Sequence, residues 1–532
     1  MQSRTWLAVA LACLVWFTYM RWFAPPMPEH TAQTQTAPGQ AAPATLDQGS
    51  GVPVAGSVPT SPFDVDLALP ATASIDTKNL HIALSDRGGK IASVEVLDYT
   101  ATLQKDSPHI ASLNATTMVQ SLGTFFSEPA LAQLGTGAYT RTQAGAQTVF
   151  HKDVGDVRVT KSYQSADGNY FLDHLVTLRF PAAGRRDWGF LLMPVGGEGL
   201  VYKADHPQDA WEAVAYQNEK IARKTLEALE PGPQVHQGDT KWVAFGNRYF
   251  TNVLVNESSI NPDVVFDKSG AFSGVYMKFP LVLKEGQQEM VFKFRIFSGP
   301  KEYSELAKVP GLRQLIDYGF FSFFAFPLLE VLRFFNTFLH NFGWSIILLT
   351  LLVRILFYPL SLKSYKSMKA MQKLQPQLNA LKEKYKDDTA KFGQEQMALF
   401  RQHKVNPAGG CLPLLMQFPV FVALYAVLQN SIELFHAPFF GWIQDLSSKD
   451  PFYVFPVLMG VSMFAQQKMT PVAGMDPMQQ KILLLMPVIF SFMMLNLPSG
   501  LTIYIFVSTL LGIVQQLLMN REPGKAKALP AT

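Results

Sequence analysis

The stretch Trp344-Ser-Ile-Ile-Leu-Leu-Thr-Leu-Leu-Val-Arg-Ile-Leu-Phe-Tyr-Pro-Leu360 is strongly apolar and carries one charged residue, Arg354. As a helix it is about 25 Å long, against a bilayer hydrocarbon core of about 30 Å. Arg354 lies nine residues before Lys363. That separation is about 13 Å along a helix, which places the arginine near the middle of the bilayer.

A lone arginine at that depth costs at least about 2.5 kcal/mol, so it usually faces protein or a water-filled cavity and marks a functional position. Two alternatives remain open: a side chain that snorkels to the interface, and a structural ion pair with another helix. The other apolar segments offer no obvious central Asp or Glu as a partner. The sequence therefore favours a wet, functional cavity around Arg354.

Further apolar segments of near-spanning length flank this one, in a chain with 16% charged residues and 40 phenylalanines. The predicted spans in the C-terminal half are 343–361, 413–431, 452–467, 482–498 and 500–519. Residues 1–23 are read as an uncleaved N-terminal transmembrane anchor rather than a signal peptide, because Trp22 and Phe23 extend the apolar run to spanning length. The fold class expected is a polytopic α-helical membrane protein with six transmembrane helices.

The region between the anchor and the second span has three parts. Residues 24–60, rich in Pro, Ala, Thr and Gln, predict a flexible tether. Residues 61–310 show period-two alternation, as at Met290, Phe292 and Phe294, which predicts an all-β sandwich domain. Residues 311–342 are rich in aromatics but carry Glu330 and Arg333 on one helical face, which predicts an amphipathic interfacial helix.

The distribution of charge predicts the orientation. The loop 363–404 carries ten Lys or Arg residues against four acidic ones, a net charge of +6, so it is expected in the cytoplasm. The next loop has a net charge of −2, and the short basic tail 521–532 has a net charge of +2. Both termini are then cytoplasmic, and the β domain lies on the other side of the inner membrane, in the periplasm.

Polar residues from other positions join Arg354 in a predicted groove within the helical core 343–520. Thr350 lies one helical turn before Arg354, and Gln417 and Tyr504 bring an amide and a hydroxyl from other spans. Each of these side chains, taken alone, is also compatible with ordinary helix packing. Together they predict a polar groove with apolar walls.

The cytoplasmic loop 363–404 shows a helical stripe that begins with Met368, Met371 and Leu374. It predicts one helix of an αα-hairpin, with a second, antiparallel helix after Asp388. The stripe fits packing of the two helices on each other, and its methionines also fit contact with varied apolar clients.

Several function classes lack support in the sequence. The two cysteines, Cys13 and Cys411, predict neither a disulfide nor a metal site. Walker, zincin and Gly-x-Ser-x-Gly motifs are absent, and we expect neither an enzyme nor a cofactor. A secondary transporter or channel that uses the intramembrane arginine is the alternative, although the sequence shows no inverted repeat. An envelope enzyme acting through the β domain is a third, weaker hypothesis.

Four segments carry a specific resemblance. They are Lys404-Val-Asn-Pro-Ala-Gly-Gly-Cys-Leu-Pro-Leu-Leu-Met-Gln-Phe-Pro-Val-Phe-Val-Ala-Leu-Tyr425, Val353-Arg354 with Tyr358-Pro359-Leu360, Asp476-Pro-Met-Gln-Gln-Lys481, and Pro498-Ser499-Gly500. This set closely resembles the YidC/Oxa family of membrane protein insertases, in its Gram-negative form with a large periplasmic domain. The resemblance covers essentially the whole chain.

The resemblance implies a five-helix insertase core whose hydrophilic groove takes nascent membrane proteins, and a periplasmic β super-sandwich. It carries the groove positions onto Thr350, Arg354, Gln417 and Tyr504. Close relatives have a second Tyr where Ile505 stands here, so a role for that second hydroxyl does not transfer. The implied partners are the Sec translocon and membrane lipids, with the ribosome as a further candidate and no small-molecule substrate.

Overall fold

The structure is a computed structural model that describes residues 70–113, 122–166, 170–181, 186–196, 210–269, 272–386, 388–406, 412–470 and 477–521. The predicted anchor at 1–23, the tether at 24–60 and the tail beyond Arg521 lie outside the described residues.

The N-terminal part of the described chain is built from β-strands. The first nine are β1 Ala73–Asp76, β2 Leu80–Ser85, β3 Lys90–Thr100, β4 His109–Leu113, β5 Phe125–Phe126, β6 Thr140–Ala144, β7 Gln147–Val154, β8 Val157–Ser165 and β9 Phe171–Arg179. The next nine are β10 Arg186–Gly196, β11 Glu212–Gln217, β12 Lys220–Thr225, β13 Gln234–His236, β14 Thr240–Gly246, β15 Phe250–Asn256, β16 Asp263–Ser269, β17 Phe272–Leu283 and β18 Glu289–Pro300. Short helical turns lie at Pro129–Leu131, Gln133–Thr136, Tyr303–Leu306 and Leu312–Leu315.

The strands form three antiparallel sheets within the described residues. Their strand orders are β1-β2-β3-β4, β13-β16-β17-β10-β5, and β12-β11-β14-β15-β18-β9-β8-β7-β6. In β18, Met290, Phe292 and Phe294 are buried while Val291 and Lys293 are exposed, because successive side chains of a strand point to opposite faces. The predicted all-β domain is confirmed.

The C-terminal part is helical. Its α-helices are α1 Ser322–Leu339, α2 Phe342–Lys373, α3 Gln375–Lys384, α4 Thr389–Gln402, α5 Leu412–Asn430, α6 Val454–Met469, α7 Pro477–Met493 and α8 Ser499–Arg521, with 3₁₀ turns at Gly319–Phe321, Ile432–Leu434 and Met494–Asn496. Asn341 caps α2, since its side chain accepts a hydrogen bond from the Trp344 backbone N–H at 3.2 Å.

The expected number of spans is not confirmed. Within the described residues, three helical segments are long and apolar enough to cross a membrane: Gly319–Leu339, Phe342–Lys373 and Ser499–Asn520. The helices at three other predicted spans, α5, α6 and α7, have 19, 16 and 17 residues. The segment Gly319–Leu339 is the one expected to lie in the interface, yet by length and composition alone it also qualifies as a span.

Candidate functional site

Arg354 lies in the middle of α2 and points towards α8. Its Nη2 atom donates a hydrogen bond to the Ser508 hydroxyl at 2.8 Å. Its Nε atom is buried and has no hydrogen-bond partner among the described residues. No carboxylate in the described part of the chain lies within ion-pair distance of the guanidinium. The structural ion pair that the sequence left open is therefore not seen here, and the arginine has donor capacity to spare.

Tyr504 brings α5 and α8 together beside Arg354. Its side chain is 2% exposed, and the side chains of Gln417 and Ser508 lie within hydrogen-bonding reach of its hydroxyl. The Phe421 ring lies 6.3 Å away, centroid to centroid. Two of the predicted groove residues, Gln417 and Tyr504, thus lie in one polar cluster with Arg354, and Ser508 links them.

Thr350 occupies the expected turn of α2 but uses its hydroxyl locally. The side chain is 1% exposed, and its Oγ1 donates to the Ile346 carbonyl oxygen at 2.6 Å. Among the described residues, Thr350 makes no hydrogen bond to Arg354. The structure therefore places Thr350 next to the cluster without joining it to the guanidinium.

Ser508, Gln466 and Gly512 are site residues that the sequence reasoning missed. A methyl group at Gly512 would lie 2.4 Å from Gln466 Nε2 and 3.5 Å from Arg354 Nη2, so this glycine lets α6 approach α8 beside the guanidinium. Further along α8, Gln516 Nε2 donates to Thr470 Oγ1 at 3.1 Å. The available signal was the spacing of four in α8 at 504, 508, 512 and 516, which puts these positions on one helical face.

The loop 431–453 lies at the N-terminal ends of α2 and α8, where the helical domain also contacts the β domain. Leu446, fully buried, accepts a hydrogen bond from the Gly500 N–H at 3.0 Å at the start of α8. The Phe439 ring packs directly on Gly343, where a methyl group would lie 2.0 Å from the ring. The loop therefore joins the first turns of α2 and α8.

Asp450 holds this loop in shape. The side chain is 1% exposed. Its carboxylate accepts hydrogen bonds from Trp442 Nε1 at 3.0 Å and from the backbone N–H groups of Phe452 and Phe455 at 3.1 and 2.8 Å. A buried carboxylate is tolerated when its lone pairs are satisfied in this way.

The hairpin differs from its prediction in where its helices break. Met368 and Met371 belong to the last turns of α2, which runs unbroken to Lys373, and Leu374 lies at the junction with α3. Leu374, Leu378 and Phe400 form a small buried core, against which Met371 packs. The expectation of one helix for the whole stripe is wrong, because Leu374 ends α2 and Pro376 lies in the first turn of α3.

The burial of Leu374 and Met368 differs, and it decides how far each predicted client-contact residue is open to a client. Leu374 is 6% exposed and packs inside the hairpin. Met368 is half-buried and is not part of that core.

Among the described residues no group of three or more His, Cys, Asp or Glu side chains is placed to hold a metal ion.

Two family models match the chain. The model described as "60Kd inner membrane protein" matches residues 334–526, and the model described as "YidC periplasmic domain" matches residues 72–331. The first begins within α1 and covers α2 to α8 with the Arg354 cluster, and the second covers the β domain and the first part of α1.

Curated relatives match over the whole length. A protein of Syntrophus aciditrophicus named "Membrane protein insertase YidC" is 35% identical over 560 residues, covering 98% of this chain and 100% of the relative. A protein of Geotalea daltonii with the same name is 33% identical over 551 residues, covering 100% of both chains. A solved structure described as an active YidC insertase covers 84% of this chain and 93% of its own, with 20% identity and a TM-score of 0.35.

Proposed function

The chain belongs to the YidC family of membrane protein insertases, and from this we propose that the cluster of Arg354, Ser508, Tyr504 and Gln417 is the place where a client enters the membrane. The protein inserts membrane proteins into the inner membrane and carries a periplasmic β domain. The transporter or channel alternative is not favoured, since the full-length relatives are insertases.

The incomplete hydrogen bonding of the Arg354 guanidinium is the observation that supports this proposal. A cation near mid-bilayer without a carboxylate partner is costly unless water or a ligand completes its hydrogen bonds. Here one donor is satisfied by Ser508 and the buried Nε is not satisfied at all among the described residues. A passing polar or acidic client segment supplies the acceptors that Arg354 lacks.

We infer the following mechanism from this arrangement. A short client with an apolar segment and a polar or acidic tail enters the groove from the cytoplasmic side. Arg354 and the hydroxyl and amide groups around it lower the cost of moving the tail partway across. The apolar segment then moves into lipid, which stabilises it by about 0.3 to 0.6 kcal/mol for each central Leu, Ile, Phe or Val. No covalent step, cofactor or nucleotide is required.

The membrane topology of the chain is part of the same proposal. We propose six crossings, with 1–23 as the anchor, 24–60 as a tether, 61–310 as the periplasmic domain and 311–342 as an interfacial helix. The insertase core 343–520 then has its hairpin 363–404 and the tail 521–532 in the cytoplasm. The net charge of +6 on the hairpin supports this orientation. Phe320, in the 3₁₀ turn before α1, is exposed, as are Phe323 and Phe338 on α1, and this supports contact with lipid.

Met368 and the hairpin surface are proposed to meet clients in the cytoplasm, with Met371 and Leu374 supporting that surface from within. The Sec translocon is a proposed partner for larger clients, and membrane lipids surround the core. The ribosome is a proposed partner as well, through a weak contact, because the tail carries few basic residues.

A reconstitution tests the proposal directly. The purified full chain is placed alone in liposomes and given a short single-spanning client with an acidic, a neutral or a basic translocated tail, and protease protection reports insertion. We expect the acidic tail to be favoured over the basic one by wild type, and this preference to vanish in Arg354→Ala. The control Lys363→Ala, an exposed cation outside the predicted groove, keeps the preference. Wild-type insertion that ignores the charge of the tail contradicts the proposal.

A further inference from the structure

Arg333 of α1 faces three carboxylates that come from three different parts of the chain. Its guanidinium nitrogens lie 3.8 Å from Glu330 in the same helix, 3.9 Å from Glu302 after β18, and 3.9 Å from Glu433 in the loop after α5. One cation cannot balance three anions, so the cluster carries excess negative charge wherever all three carboxyls are ionised.

Glu433 is the most buried member of this cluster. Its side chain is 11% exposed, against 30% for Glu302 and 55% for Glu330. Its Oε1 atom is buried without a hydrogen-bond partner among the described residues. Burial raises the pKa of Glu433 to about 7, with Glu302 and Glu330 adding to the rise and Arg333 opposing it.

The segment 429–436 around Glu433 is the joint between the two domains. At its start, the Tyr249 hydroxyl of the β domain donates to the Gln429 carbonyl oxygen at 3.4 Å. At its end, the Phe435 ring packs on Tyr249, Phe250 and Tyr99, with centroid distances of 5.1, 5.7 and 6.2 Å. Glu433 thus lies in the middle of a contact that ties the β domain to the end of α5.

A second segment of the chain, which includes Asp317 and Tyr318, completes the joint. Asn430 Nδ2 donates to the Asp317 carbonyl oxygen at 3.0 Å, and the hydroxyls of Tyr318 and Ser431 lie 3.3 Å apart. These contacts tie the segment 429–436 to the chain that leads into α1. A change of charge at Glu433 therefore acts on the β domain, α1 and α5 together.

We propose that Glu433 is a proton-controlled latch between the periplasmic β domain and the helical core, tight when its carboxyl holds a proton and looser when it is ionised. Protonation removes one of three mutually repelling charges and turns an unsatisfied buried acceptor into a group that can donate. Ionisation restores the repulsion from Glu302 and Glu330 and the cost of a buried anion. The latch faces the periplasmic side and is separate from the Arg354 cluster.

The direction of the pH dependence follows from the pKa. The docked carboxyl has a pKa raised from 4.5 to about 7, so the docked state binds more protons between these values. Docking therefore strengthens as pH falls from 7 towards 4.5, by at most about tenfold per pH unit, and is weakest above pH 7.

Other titratable groups face the same joint. They are Arg333 and Glu330 from α1, Glu302 after β18, Tyr99 and its neighbour Asp98 from β3, Tyr318 before α1, and His436 with Asp445 in the loop itself. Burial raises the pKa of both tyrosines, which stay neutral in this window. Burial lowers the pKa of His436. A variant at Glu433 separates its contribution from all of these.

The test is hydrogen–deuterium exchange of the full-length protein in lipid nanodiscs at pH 5 and pH 7.5, corrected for intrinsic exchange rates. Peptides that cover 429–436 report the joint. We expect wild type to be protected severalfold more at pH 5 than at pH 7.5. Glu433→Gln, an isosteric neutral group, is expected to give the protected state at both pH values. Glu285→Gln, at an exposed turn of the β domain, is the matched control and behaves as wild type.

A second variant keeps the test decisive if the joint tolerates Glu433→Gln poorly. Arg333→Gln removes the cation that opposes protonation, so the transition should move to higher pH. A wild-type joint with equal protection at both pH values overturns the latch. So does a pH dependence that survives unchanged in Glu433→Gln, or a transition that does not move to higher pH in Arg333→Gln.

Discussion

Arg354 of α2 and Ser508 of α8 are joined by a 2.8 Å hydrogen bond from Nη2 to the serine hydroxyl. This contact links the first and last helices of the helical core at the proposed depth of the bilayer centre. It fixes one edge of the guanidinium and leaves the buried Nε without a partner among the described residues. The orientation of the Arg354 guanidinium therefore depends on a residue of another helix.

Replacing that serine should weaken insertion of clients with acidic tails while leaving the fold intact. We expect Ser508→Ala to lower their insertion severalfold, and Ser508→Thr, which keeps the hydroxyl, to restore most of it. Thr509→Val is the matched control, because the Thr509 hydroxyl donates within its own helix to the Ile505 carbonyl. An equal loss of insertion in Ser508→Ala and Thr509→Val would argue for a packing effect alone. So would a loss of insertion in Ser508→Ala that is the same for clients with apolar tails.

The loop 431–453 is predicted to block the passage of ions through the groove. Asp450→Ala removes the acceptor for the part-buried donors of Trp442, Phe452 and Phe455, and each lost hydrogen bond to a carboxylate costs about 1.5 to 3 kcal/mol. We expect the variant to raise ion leakage through proteoliposomes, measured with a pH-sensitive dye. The adjacent, exposed Lys449→Ala should leave leakage at the wild-type level. A tight membrane with Asp450→Ala would mean that other contacts close the groove.

The hairpin core and the proposed client surface can be separated. Leu374→Ala or Phe400→Ala removes a side chain from the buried cluster with Leu378 and should destabilise the hairpin by about 2 to 5 kcal/mol. Hydrogen exchange in α3 and α4 measures this loss. Met368→Ala should leave the exchange unchanged and reduce cross-linking to clients. Faster exchange in Met368→Ala would show that this methionine is part of the hairpin core.

The β domain should gain stability on the alkaline side because of a buried lysine. Lys161 is fully buried and donates to the Gly88 carbonyl oxygen at 2.6 Å. Burial, with Lys152 nearby, lowers its pKa from 10.5 to about 7. The unfolded chain then binds more protons between pH 7 and 10.5, so stability rises with pH in that window, by roughly 2 to 3 kcal/mol from pH 7 to 9.

Thermal unfolding of the full chain, followed by tryptophan fluorescence, measures this slope. Lys161→Met should raise the unfolding temperature at pH 7 and flatten the rise towards pH 9. Lys241→Met, at a side chain that is 56% exposed, serves as the control and keeps the wild-type slope. Below pH 6.5 a second group acts: burial lowers the pKa of His174 from 6.5 to about 3, so stability should fall as the pH is lowered through that range.

The sequence predicted those features that depend on periodicity. The alternation at Met290, Phe292 and Phe294 predicted a strand with one buried face, and β18 has that burial pattern. The apolar run around Arg354 predicted a helix, and α2 contains it. Both patterns are local, because each residue's environment is set by the geometry of its own element.

Features that depend on contacts between elements were beyond the sequence. Ser508 is one of many hydroxyl residues, and only the packing of α2 on α8 shows that it bonds to Arg354. Thr350 has the right spacing, yet its hydroxyl satisfies its own helix. Glu433 reads as one acid in a loop, and its burial beside Arg333 arises from three separate parts of the chain.

In the proposed mechanism, the positive charge of Arg354 acts on clients in the groove. The most direct measurement is to deplete the endogenous insertase, complement with wild type, Arg354→Ala, Arg354→Lys or Arg354→Glu, and follow insertion of a short single-spanning client by protease protection. We predict that wild type restores insertion, that Lys keeps most of it, and that Ala and Glu lose it. Unchanged insertion with all three variants would contradict the claim and make Arg354 a dispensable structural residue.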